Sequence, residues 1–90
     1  MARILKKILP ESFSLIVSGK KKYEVRLADF DIEEGDTLVL EEWDTDDVKT
    51  RQPTGRVIEK KVEYLRKFSF TEFKQMEEMK EKGFYIIQIE

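Results

Sequence analysis

The sequence predicts an α+β domain: a small curled sheet or partial β-barrel of about five strands with two helices, in the order β-α-β-β-β-α-β. Three observations carry this. Short stretches of period-2 alternation recur along the chain, two segments of helical spacing interrupt them, and no linker, repeat or low-complexity run divides the 90 residues. Residues 1–90 therefore read as one domain, and a 40% hydrophobic content supplies one modest core.

Residues Arg3 to Ile8 form a first strand. Pro10 follows as the first residue of a short helix, where its missing N–H costs nothing. Phe13, Ile16 and Val17 share one face of that helix, and Gly19 ends it in a left-handed cap. Lys22 to Leu27 alternates cleanly, with Tyr23, Val25 and Leu27 on one side and Lys22, Glu24 and Arg26 on the other. Ala28 to Asp36 is an acidic loop closed by a Gly35-Asp36 turn. Thr37 to Trp43 is a third strand with Leu38 and Leu40 inward, and Asp44 to Pro53 a polar hairpin loop. A long strand from Thr54 to about Arg66 carries Ile58, Val62 and Tyr64 on one face. Ser69 with Glu72 makes a capping box, Phe68 and Phe73 a hydrophobic staple, and Phe73, Met76 and Met79 the apolar stripe of the second helix, which Gly83 closes. Phe84 to Ile89 is apolar on both sides, which suggests a central strand covered on both faces.

Composition excludes several chemistries. The chain has no Cys and no His. That removes disulfides, thiolate nucleophiles, Cys- or His-ligated metals and any imidazole base. Catalysis would have to come from Lys, Arg, Asp, Glu, Tyr, Ser or Thr. No apolar run approaches the roughly 20 residues of a membrane span, and residues 1–10 carry no signal-peptide cleavage pattern. The expected compartment is the cytoplasm, with no membrane partner.

A net charge of −2 conceals segregated blocks. Residues 1–27 hold seven Lys/Arg against two Glu, residues 28–47 ten acids and no base, and residues 48–68 again seven bases against two acids. An acidic pI near 5.3 argues against nonspecific coating of nucleic acid, while leaving room for a local basic face. Mutual neutralisation of the blocks across neighbouring strands is the plainer alternative.

The segment Gly19-Lys20-Lys21-Lys22-Tyr23-Glu24-Val25-Arg26 is the most unusual. Three lysines follow a helix-ending glycine, and a Glu and an Arg then share a strand face. Such a pair combines a fixed carboxylate with a fork of donors, suited to a nucleobase edge, a phosphate or an acyl group. The alternative is the solvated side of a two-faced strand. Thr54-Gly55-Arg56 places donors and a flexible backbone at the start of the long strand, where a hairpin exit is the simpler explanation. Trp43 and Tyr64 are candidate stacking surfaces, or else core and rim. The acids do not make an EF-hand. Counting from Asp44, position six is Lys49 and position twelve Gly55; counting from Asp29, Gly35 falls at seven. No metal and no cofactor is expected.

These residues resemble a known family. The run Leu9-Pro10-Glu11-Ser12-Phe13…Ile16-Val17-Ser18-Gly19-Lys20-Lys21-Lys22-Tyr23-Glu24-Val25-Arg26, then Gly35-Asp36-Thr37-Leu38 and Thr54-Gly55-Arg56, is similar to the ASCH family of the PUA-like superfamily, over about two thirds of the chain. The Thr-Gly-Arg element matches a small subgroup of ASCH-like proteins. The resemblance implies a small barrel with helices at its openings and a cleft beside the Gly-Lys loop, and family members are proposed to bind RNA. One bacterial branch hydrolyses the acetyl group of N4-acetylcytidine with a Lys, a Thr and a Glu. The Lys falls on Lys21, the Thr position is Glu24 here, and the third residue, a Glu, has no secure match, with Glu77 or Glu78 as the candidates.

Three readings follow. The first is an RNA- or nucleotide-binding module, monomeric and not an enzyme. In it Lys20, Lys21 and Lys22 meet phosphate, Arg26 and Arg56 reach base edges or phosphate, Thr54 adds a donor, and Glu24 accepts from an exocyclic amine. The second is a small amidohydrolase on an acetylated nucleoside, with Lys21 as a base depressed by its lysine neighbours, Glu24 as its partner and Arg26 orienting the substrate. The third is a protein-interaction domain that meets its partner through acidic residues 28–47.

Overall fold

In a computed structural model of the chain, the structure describes residues 1–68 and 83–90. Strand β1 spans Arg3–Ile8, helix α1 Pro10–Val17, β2 Tyr23–Leu27, β3 Thr37–Trp43, β4 Pro53–Phe68 and β5 Phe84–Ile89. The expected second helix, with its Ser69–Glu72 box and its Phe73, Met76 and Met79 stripe, lies outside the described residues.

Helix α1 starts at Pro10 because the fixed proline φ suits the first helical position; Leu9 at its N-cap supplies no side-chain bond. It stops at Gly19, whose φ of 80° only glycine adopts without strain, and Lys21 N–H then donates to the Leu15 carbonyl at 3.0 Å. That turn delivers the chain directly into β2.

The five strands make one mixed sheet in the order β1-β3-β4-β5-β2. β1 runs parallel to β3, and the other neighbours are antiparallel. β4, at 16 residues, serves two halves: up to Lys61 it pairs with β3, and from Val62 with β5. At this join Gly35 N–H donates to the Val62 carbonyl and Val62 N–H to the Asp36 carbonyl, each at 2.9 Å. The acidic loop thereby pins the bend. β1 and β2 remain at opposite edges of the strand order, so the sheet is not closed into the expected barrel.

The core face of the sheet gathers Ile8, Leu38, Leu40, Val62, Tyr85, Ile87 and Ile89, and α1 lays Phe13 and Ile16 on it. Each fully buried aliphatic side chain contributes about 1.5–3 kcal/mol relative to exposure. Two sequence expectations are corrected. Tyr64 does not share a face with Val62, because a bulge between Val62 and Tyr64 reverses the alternation. Tyr64 is left 51% exposed, and Leu65 packs against the core instead. Nor is β5 covered on both faces: Tyr85, Ile87 and Ile89 are buried, whereas Ile86 is exposed.

Candidate functional site

The register of β2 decides which of its faces meets the core. Glu24 stands opposite Ile87 and Arg26 opposite Tyr85, so both turn inward with their buried partners. Tyr23 and Val25, the apolar set, face out. Glu24 is only 4% exposed. A carboxylate so placed must be paired to remain ionised at modest cost. Lys21 Nζ lies 3.1 Å from its Oε1, and Arg26 approaches Oε2 with Nε and Nη2, each at 3.0 Å. Lys21 Nζ also donates to Ser12 Oγ on α1 at 3.4 Å. Lys20 and Lys22 are exposed and join no ion pair among the described residues.

A second couple occupies the same face on β3 and β4. Glu42 continues the inward alternation of Leu38 and Leu40 and is 2% exposed. Arg56 donates from Nε to Oε1 at 2.8 Å and from Nη2 to Oε2 at 2.6 Å; Thr54 Oγ1 adds a bond to Oε1 at 2.6 Å. This contact depends on a bulge. Glu41 pairs with Val57 and Trp43 with Pro53, so Thr54, Gly55 and Arg56 together stand opposite the single Glu42. Gly55 absorbs the irregularity at φ 93°. The bonds from Arg56 and then Thr54 hold the Glu42 carboxyl below its ordinary range against the opposing effect of burial. Arg56 is raised in turn by Glu42. Its guanidinium lies over the Phe13 ring, 4.8 Å from the centroid.

Both couples thus meet consecutive residues of α1: Lys21 touches Ser12, and Arg56 covers Phe13. The structure brings Lys21, Glu24 and Arg26 into one cluster and Thr54 and Arg56 into another, with the start of α1 between them. Lys20 and Lys22 stand outside both. Sequence reasoning missed Glu42, although an acid at the third inward position of an apolar strand face, across a hairpin from Thr54-Gly55-Arg56, was a usable signal.

The expected stacking residues are placed elsewhere. Tyr64 pairs with Gln88 on the outer face. Trp43 also turns to the outer face, where its Nε1 donates to Glu41 Oε1 at 2.7 Å. It lines a cleft of about 150 Å³ with Lys7, Ile8, Leu9, Thr45, Asp46 and Arg51. Among the described residues neither side chain is hydrogen-bonded to Glu24 or Glu42. Among the described residues no group of three or more acids is arranged to hold a metal ion, and no helix is long and apolar enough to cross a membrane.

In chemical terms both clusters are carboxylates that immobilise cations while leaving some of their donors open. Arg26 Nη1, Arg56 Nη1 and the third proton of Lys21 have no partner among the described residues. Such preset donors suit an oxyanion or the acceptor edge of a base. Among the described residues, a five-stranded mixed sheet, one helix on its core face and two buried glutamate–cation couples beside that helix make a small α+β domain. The ASCH domain profile matches residues 7–90, and the chain belongs to the ASCH domain family. The fold is also similar to the crystal structure of hypothetical protein PH0355, with a TM-score of 0.68 and 23% identity over 100% of this chain and 98% of that one. No curated protein matches the sequence.

Proposed function

We propose that this ASCH domain is a small RNA- or nucleotide-binding module, monomeric and cytoplasmic, whose ligand lies beside the Gly19–Lys22 loop against α1. The observation that carries this is the buried Glu24, clasped by Lys21 and Arg26. Glu24 and Arg26 face the core here while the apolar Tyr23 and Val25 face water, which supports a ligand-binding role for this face. Arg26 and Arg56 offer forked donors to phosphate or base acceptors, and Lys20 and Lys22 supply further positive charge from the loop. A carboxylate has about four acceptor sites, so Glu24 retains room for an exocyclic amine.

With an acidic pI, affinity is weak and site-limited, and its salt dependence is shallow, set by about two to four charge contacts. Fluorescence anisotropy of labelled short single-stranded RNA tests this. Binding that weakens in Lys21→Ala and Arg26→Ala supports the module; no binding at low salt rejects it.

One observation favours a second reading, hydrolysis of an acetylated nucleoside. Ser12 Oγ, 3.4 Å from Lys21 Nζ, places a hydroxyl beside an amine although residue 24 is a glutamate. Release of acetate from N4-acetylcytidine by the wild type, lost in both Ser12→Ala and Lys21→Ala, is its test.

A further inference from the structure

The Trp43 cleft belongs to neither glutamate couple, and its chemistry is different. Lys7 Nζ lies over the indole at 4.4 Å from the ring centroid, and the Arg51 guanidinium at 5.5 Å. Neither cation is paired with a carboxylate among the described residues. Two cations beside one indole, unpaired with a carboxylate among the described residues, suit a ligand that combines a flat ring with negative charge. Asp46 also lines the cleft and Glu41 is tied to the indole N–H, so the positive charge is local to Lys7 and Arg51.

The cleft is built before any ligand arrives. The bond to Glu41 fixes the indole plane. The loop that forms the second wall is closed by Asp44 N–H on the Gln52 carbonyl at 3.0 Å and Gln52 N–H on Asp44 Oδ1 at 2.8 Å. Arg51 N–H on the Asp47 carbonyl, at 2.8 Å, sets the stem of the arginine. Ile8 and Leu9 complete an apolar floor. A volume of about 150 Å³ accommodates a single aromatic ring system rather than a folded chain.

We propose that this cleft takes one nucleotide of a single-stranded RNA, its base stacked on Trp43 and its phosphate on Lys7 and Arg51. The proposal rests on the RNA-binding reading above and extends it across the sheet. Trp43 pairs with Pro53, next to Thr54 and Arg56 on the other face, so a strand crossing the β3–β4 end meets both sites.

Trp43 is the single tryptophan of the chain, so intrinsic fluorescence reads this cleft alone. Unlabelled short RNA added to the full chain should quench that emission along the same isotherm as the anisotropy of labelled RNA. Stacking on one aromatic is worth about 1–3 kcal/mol, so Trp43→Leu should weaken RNA about five- to 150-fold. Because Trp43→Leu disturbs packing, Arg51→Ala with Lys7→Ala serves as the second variant; it should weaken binding and leave the unfolding midpoint in place. RNA that binds by anisotropy without changing Trp43 emission, and binds the double variant as tightly as wild type, overturns this inference alone. RNA that fails to bind in either readout removes the RNA-binding reading and this one with it.

Discussion

Glu24 and Ile87 face each other across the β2–β5 ladder, one a carboxylate and the other among the most deeply buried aliphatics of the core. A hydrophobic residue at position 24 would complete that face. The glutamate instead draws Lys21 and Arg26 inward, converting one end of the core face into a charged surface beside α1. In the proposed RNA-binding reading, function and folding are joined at this residue.

Replacing Glu24 with Leu should separate the two roles. It removes the partner of two half-buried cations, and hydrogen bonds to charged groups contribute about 1.5–3 kcal/mol. Some of this is offset, since Lys21 and Arg26 keep access to water and the leucine packs on Ile87. We expect a modest fall in urea midpoint with a complete loss of RNA binding. Retained binding would show that Glu24 orders nothing the ligand needs.

Glu42 predicts an acid dependence. Its folded-state carboxyl is held down by Arg56 and Thr54. The stability this supplies is present above the unfolded glutamate value, about 4.3, and is lost as pH falls through the lower folded value. Asp36, lowered by the Ala2 and Glu33 backbone N–H groups, acts in the same direction. Urea unfolding from pH 7 to pH 2 should show a smaller drop in Glu42→Gln than in wild type, with Asp36→Asn removing a further part. Parallel curves for all three proteins would contradict the pairing.

Gly55 carries the bulge opposite Glu42 at φ 93°, and a Cβ there meets nothing within 4 Å. The cost of Gly55→Ala is therefore backbone strain alone, about 1–2 kcal/mol. Relief of that strain shifts Arg56, so RNA affinity should fall with stability. A substitution neutral in both denaturation and binding would mean that the bulge is dispensable.

The core makes a separate prediction. Ile87 is fully buried between β4 and β2. Ile87→Ala should cost about 2–5 kcal/mol, which in a domain this small is a large share of the total. Denaturant titration followed by circular dichroism measures it, and a loss below 1 kcal/mol would contradict a single shared core.

Local signals in the sequence located the elements well. Pro10 and Gly19 bound α1 because each has a backbone conformation to enforce, and the alternation of Thr37 to Trp43 gave β3 with its inward leucines. What failed depended on pairing. The bulge before Tyr64 leaves no mark in a period-2 pattern, so Tyr64 was assigned to the wrong face. The choice of inner face for β2 is set by its register with β5, some 60 residues along the chain, and alternation alone left it open. Glu42 went unnoticed for the same reason: its partners Thr54 and Arg56 become visible only once the β3–β4 register is known. Trp43 was read as an aromatic surface, but its two cations come from β1 and the hairpin loop, which sequence spacing does not join.

The most direct test of the RNA-binding reading is an amide NMR titration of the labelled full chain with short single-stranded RNA. The account predicts shifts at Gly19 to Arg26 and at Thr54 to Arg56, on the two sides of α1, that shrink together as salt is raised. Shifts confined to residues 28–47, or none at all, would contradict it and turn attention to the acidic loop as a protein-binding surface.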